Sequence, residues 1–225
     1  YVQRRLMRFR DDYIYDVAIL EISDFLDKLS PSHPSYNNLQ QLEIWLLMER
    51  NLHKRAVATA KNFEQQSSTL SYSLYNIGSK LLAEQKFELA EEAYFYYIDN
   101  NVASLANRSR EELANVYIQW AKYLKNNNLD LSTKPSSLYQ KAFSTLNSLQ
   151  NNSPNYQRID QVLTTLSELY LDVLHAPDKA EQYLAELQNL YTGVRQEAQQ
   201  AYIKGRLHLY NKEYTRARLS FSKSN

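Results

Sequence analysis

Residues able to do chemistry are few in this chain and scattered along it. Histidine occurs at His33, His53, His175 and His208, and no two stand at the i, i+4 spacing that brings two metal ligands to one helical face. A lone imidazole needs a second ligand or an orienting partner, so each reads as structural or solvated. Cysteine is absent, which removes thiol nucleophiles, zinc knuckles and disulfides and leaves the compartment open. Gly78, Gly193 and Gly205 are the three glycines, with no two closer than 12 positions, so no glycine-rich loop can cradle a phosphate. A Gly-x-Ser-x-Gly elbow is missing for the same reason. Glu88, Glu91 and Glu92 gather on one predicted helix, but Ala90 marks its inward side and leaves the acids on the outer face. The sequence predicts no catalytic centre, no cofactor and no metal site.

Charge gives the partner little direction. Lys and Arg number 26 against 25 Asp and Glu, a formal net charge of +1, whereas a nucleic-acid binder shows a larger excess or a basic stripe. Arg4, Arg5, Arg8 and Arg10 form the one dense basic stretch, and Asp11 and Asp12 follow it at once, as on a solvated helix face. The longest apolar runs, Ile44 to Met48 and Tyr94 to Ile98, fall far short of the roughly 20 residues of a membrane span. No nucleic acid and no membrane insertion are expected. Because the first residue is Tyr1 rather than Met, the chain is expected to be an excerpt or a processed product.

The elements that must position whatever function exists are helices. The 225 residues are 44% hydrophobic and 23% charged, a globular balance sufficient for one or two domains. Only 3 Gly and 5 Pro are present, too few for the tight turns of a β-rich fold. Apolar residues recur at three- and four-residue steps, which predicts eleven helices. One long helix covers about 2–29 and ends in the proline-containing segment from Ser30 to Ser35. Five pairs follow at about 36–50 with 52–66, 70–84 with 87–100, 109–127 with 135–150, 157–175 with 177–191 and 194–210 with 213–223. Ser109 and Glu112 have capping-box spacing, and Pro135 and Pro177 stand at first helical turns. Residues 1–35 therefore form a helix and linker, and 36–225 a domain of about five antiparallel hairpins.

Small and large residues recur in register between pairs. Leu74-x-x-Ile77-Gly78-x-x-Leu81 precedes Phe87-x-x-Ala90-x-x-x-Tyr94. Gly205 stands 12 residues before Ala217, as Gly78 does before Ala90, and Tyr214 and Phe221 flank Ala217 as Phe87 and Tyr94 flank Ala90. Two antiparallel helices approach closely only where side chains are small, and large neighbours fill the space beside the contact. This pattern resembles the tetratricopeptide repeat family, W-x2-L-G-x2-Y followed by A-x3-F over about 34 residues. Tyr117-x-x-Trp120-Ala121-x-x-Leu124 and Leu163-x-x-Leu166-Ser167-x-x-Tyr170 repeat it in degenerate form. From Gly78 the small residues step to Ala121, Ser167 and Gly205 at intervals of 43, 46 and 38, longer than the family period. The resemblance covers about 36–225 and implies an all-α fold, an α-solenoid of hairpins coiled as a right-handed superhelix.

The resemblance also implies a function, a non-catalytic scaffold that binds a peptide or partner protein in the groove lined by the first helix of each pair. Tyr94, Tyr97, Tyr117, Tyr139, Tyr170 and Tyr214 take structural positions. Groove positions fall to Tyr72, Tyr75, Asn76 and Ser79, to Ile118 and Lys122, to Thr164 and Glu168, and to Tyr202 and Arg206. Some family members clamp a C-terminal carboxylate with Lys, Asn and Arg, a ligand that Tyr75 and Ile118 disfavour here. The alternative functions are a regulatory or sensor module attached to a catalytic or membrane domain and a nucleic-acid-binding helical repeat. The apolar face of the last pair is expected either to be covered by chain beyond Asn225 or to self-associate.

Overall fold

The structure is a computed structural model that describes residues 2–9, 11–67, 70–129, 132–190 and 193–224. Arg10 of the basic stretch, residues 130 and 131 of the connection from Asn126 to Lys134, and the terminal Tyr1 and Asn225 lie outside the described residues. Contacts divide the chain into two compact units, 1–102 and 103–225. The described residues of the first hold α1 (Val2–Phe9), α2 (Asp12–Leu26), α3 (Tyr36–Glu49), α4 (His53–Gln66), α5 (Ser73–Ala83) and α6 (Phe87–Asp99). Those of the second hold α7 (Ala106–Asn126), α8 (Pro135–Asn152), α9 (Ile159–Asp172), α10 (Pro177–Asn189), α11 (Val194–Tyr210) and α12 (Tyr214–Phe221).

Two local readings of the sequence are corrected. The segment expected as one helix over 2–29 is α1 and α2, so the described residues contain twelve helices rather than eleven. Asp11 is extended, and its Oδ1 accepts from the backbone N–H groups of Tyr13 and Ile14 at 2.9 and 3.4 Å. An N-cap carboxylate opens a new helix even where apolar periodicity continues across it. The capping box expected at Ser109 is not formed, because α7 begins three residues earlier, at Ala106. Ser109 lies inside the helix with its N–H bonded to the Leu105 carbonyl at 2.7 Å. Its buried hydroxyl has no hydrogen-bond partner among the described residues. Pro135 and Pro177 do occupy first turns, where a missing N–H is harmless.

Helix ends are closed by a repeated device. Asn51, Gln85, Asn101, Asn128 and Lys212 have φ between 47° and 62°. After each of them, the next N–H reaches back to a carbonyl in the last helical turn, as from Leu52 to Leu47, Lys86 to Leu81 and Glu213 to His208. This is the Schellman closure, which satisfies orphan carbonyls and reverses the chain. Its left-handed residue is usually glycine; this glycine-poor chain uses asparagine, glutamine and lysine.

From α2 onward, successive helices pack on one another within each unit, and α4 also meets α6 as α9 meets α11. Contact between next-but-one helices is what stacked hairpins require. Within the hairpins, two of the expected small residues, Gly78 and Gly205, lie under rings. A Cβ built on Gly78 would stand 3.0 Å from Cζ of Tyr94, and one on Gly205 would stand 2.6 Å from Cε1 of Phe221. Ser167 takes the small position of the α9 and α10 hairpin, where it is fully buried and its hydroxyl donates to the Ala180 carbonyl at 3.4 Å. Leu163, Leu184, Leu187, Ile203 and Leu207 belong to the apolar core joining α9, α10 and α11.

Candidate partner-binding groove

In the second unit the first helices of three consecutive hairpins, α7, α9 and α11, open on one cavity of about 680 Å³. The α7 wall supplies Ile118, Lys122 and Lys125; α9 supplies Thr165, Glu168 and Asp172; α11 supplies Tyr202 and Arg206. Tyr139 reaches the lining from α8. The position of α9 is fixed from α7. Glu111 accepts from the Arg158 guanidinium at 2.7 Å and from the Tyr156 hydroxyl at 2.7 Å, holding the chain just before α9 begins. A two-pronged guanidinium–carboxylate contact fixes direction as well as distance, and its hydrogen bond to Glu111 holds Arg158 above the ordinary guanidinium pKa.

Between α9 and α11 the wall is a polar ladder. Gln199 donates to Gln161 at 3.2 Å, Tyr202 hydrogen-bonds Glu168, and Arg206 pairs with Asp172. Partner numbers rise together along both helices, so α9 and α11 run parallel, as equivalent helices of adjacent repeats must. Arg206 also donates to the Tyr202 hydroxyl at 3.0 Å, with its guanidinium carbon 5.8 Å from that ring's centroid. Burial works against the Arg206 charge, but the bonds to Asp172 and Tyr202 outweigh it and hold the pKa above the guanidinium norm. Burial and the bond to Glu168 push the Tyr202 phenol up. Burial and the nearby Asp172 carboxylate do the same to Tyr139. Lys122 and Lys125 make no ion pair among the described residues, so the α7 wall presents two available cations opposite a wall whose Asp172 charge is matched.

Five residues assigned to the groove from sequence, Ile118, Lys122, Glu168, Tyr202 and Arg206, line this cavity. Thr164 lies one position off the lining: it is 5% exposed and its hydroxyl bonds back to the Asp160 carbonyl at 2.8 Å, while Thr165 faces the space. Lys125 and Asp172, three and four residues beyond Lys122 and Glu168, were missed; one further turn along each helical stripe locates both.

The remaining four belong to the first unit. Tyr72 is exposed but precedes α5, as its N-cap residue, at φ 58°. Tyr75 packs edge-on against Tyr94 and Tyr97, with centroids 5.3 and 6.1 Å away, and its N–H donates to the Tyr97 hydroxyl at 3.0 Å. Ser79 Oγ lies 3.0 Å from the Tyr94 hydroxyl. Asn76 lines a smaller cleft of about 230 Å³ between α3 and α5, beside Ile44, Trp45, Met48, Ile77 and Lys80. Sequence reasoning did not find Trp45, because the small-residue slot of that repeat holds Ile44.

Among the described residues, no group of three or more His, Cys, Asp and Glu side chains could hold a metal ion, and no helix is long and apolar enough to cross a membrane. Hairpins in chain order, rings seated over small residues and parallel first helices define the class, an all-α, tetratricopeptide-like helical repeat. No family model and no curated protein matches the chain. Among solved structures it is similar to a tetratricopeptide repeat protein from Parabacteroides merdae, 16% identical over 93% of this chain and 91% of that one, with a TM-score of 0.39.

Proposed function

We propose that this protein is a protein-interaction scaffold whose α7–α9–α11 groove receives a peptide or helical segment of a protein partner. One observation carries the reading: the first helices of three consecutive hairpins open on a single cavity of about 680 Å³ whose lining mixes tyrosine rings, aliphatic side chains and charges of both signs. Such a surface suits a polypeptide, which offers apolar and charged groups in alternation. The formal net charge of only +1 and the Glu168 carboxylate in the lining disfavour a phosphate backbone as the ligand.

Photocrosslinking tests this directly. A benzoylphenylalanine at Lys122, which is exposed, is expected to trap a defined protein in cells of origin. The same group at exposed Glu181 on α10, off this groove, is expected to trap none of it. Equal capture at both positions would refute the assignment.

A further inference from the structure

We infer that the cleft between α3 and α5 in the first unit is a second docking pocket, one that takes a short peptide motif pairing a large apolar side chain with a carboxylate two residues away. Ile44, Met48 and Ile77 form its floor and are nearly buried, at 4, 5 and 5% exposure. Trp45 stands beside them half-buried, its ring 5.9 Å edge-on from that of Tyr15. A cleft of about 230 Å³ with a methionine and an aromatic at its wall accepts one large apolar side chain, because thioether and indole adapt to different shapes.

Charge selects the rest of the motif. Lys80 is the one charged side chain lining the cleft among the described residues; it is exposed and has no ion-pair partner there. Gln41, Ser71, Ser73 and Asn76 supply the uncharged polar part of the lining. Lys80 follows Ile77 by three residues on the same helix, an axial rise of about 4.5 Å. Side chains i and i+2 of an extended peptide share a face at about 6.6 Å, a separation that the long lysine stem bridges. An anchor over Ile77 therefore sets the residue two positions away beside the ammonium. The favoured occupant is thus an acidic peptide of a partner protein. This inference rests on the scaffold reading but uses another site, so crosslinking at Lys122 can succeed or fail independently of it.

The test uses the whole chain and nuclear magnetic resonance. Trp45 and Trp120 are the two tryptophans, and Trp120 is 7% exposed, so the indole N–H signal of Trp45 reports on the cleft separately. Acetyl-Ser-Leu-Ser-Glu-Ser-amide is expected to shift the Trp45 signal saturably at millimolar concentration. Replacing Glu by Lys in the probe, or Lys80→Glu in the protein, is expected to weaken binding by about threefold or more, and added salt to diminish the preference. Replacing Leu by Ala in the probe should abolish the shift. Asn76→Trp, at an exposed position whose change leaves the floor intact, should block the cleft while the melting temperature holds. Equal binding of the Glu and Lys probes, a Trp45 signal that does not saturate, or undiminished binding to Asn76→Trp would overturn the inference.

Discussion

Glu64 shows how much a single side chain can organise. It is 9% exposed, and its carboxylate accepts from the Tyr97 hydroxyl at 2.7 Å, the Ser71 hydroxyl at 2.8 Å, and the backbone N–H groups of Ser71 and Leu74 at 3.1 and 3.4 Å. A residue at the end of α4 thereby caps the start of α5 and ties down α6, which is why α5 needs no cap from Tyr72. Glu64→Gln turns an amide N–H₂ toward some of these donors and is expected to lower stability by about 2 to 3 kcal/mol, the worth of hydrogen bonds to a buried charge. Tyr97→Phe removes one of the four donors to this carboxylate and the acceptor of the Tyr75 N–H, and should cost less, about 1.5 to 2 kcal/mol. Urea unfolding of both variants checks the order, and a larger loss from Tyr97→Phe would contradict it. The phenols give a second prediction. Burial first, then the bond to Glu64, raises the Tyr97 pKa, and burial with neighbouring Tyr170 pushes Tyr183 up to about 12. Each folded value stands above the ordinary phenol value of about 10, so the neutral phenol favours the fold. That contribution is complete below about pH 10 and fades as pH rises through the folded values. The urea midpoint is expected to fall from about pH 10 upward, less steeply in Tyr183→Phe; a flat midpoint would refute the linkage.

At the scale of the hairpin, two opposing magnitudes decide what a glycine does. Alanine is favoured over glycine in a helix by about 1 kcal/mol, whereas overpacking costs about 1 to 3 kcal/mol. A Cβ on Gly78 meets the Tyr94 ring at 3.0 to 3.2 Å. That ring is fully buried, its hydroxyl lies beside Ser79 Oγ, and Tyr75 packs against it, so it has nowhere to go. A Cβ on Gly205 meets Phe221 more closely, at 2.6 Å. Phe221, however, is the partly exposed last residue of the eight-residue α12 and can swing aside. Gly78→Ala is therefore expected to destabilise by about 1 to 2 kcal/mol and Gly205→Ala to be near neutral, although the second begins from the shorter distance. Thermal melts of the two variants decide the matter, and the reverse order would show that α12 is held more rigidly than its exposure implies.

Across the whole chain, what was legible in the sequence was what sterics and local hydrogen bonding decide. Gly78 with Tyr94, Gly205 with Phe221 and the starts at Pro135 and Pro177 each follow from spacing within one hairpin. The groove was half legible for the same reason. Stripes on α7, α9 and α11 could be read, but one residue of error turns a helical side chain by about 100°, which separates buried Thr164 from Thr165 at the groove. Tyr75 was out of reach because its ring partners, Tyr94 and Tyr97, compete with the groove for it, a choice made by tertiary contact. Glu64 with Tyr97 and Glu111 with Arg158 join residues 33 and 47 positions apart, and no local pattern announces them. A stack in which contacts run to neighbouring hairpins also has a thermodynamic signature, since damage propagates only to neighbours and cooperativity can break between compact units. The tryptophans make this measurable: Trp45 lies in the unit of residues 1–102 and Trp120 in that of residues 103–225. Fluorescence of Trp120→Phe reports the first unit, and that of Trp45→Phe the second. Introducing Glu64→Gln into each is expected to lower the urea midpoint seen by Trp45, while that seen by Trp120 moves by less than a third as much. Equal shifts would show that the two units unfold as one body and that the carboxylate under α5 supports the entire chain.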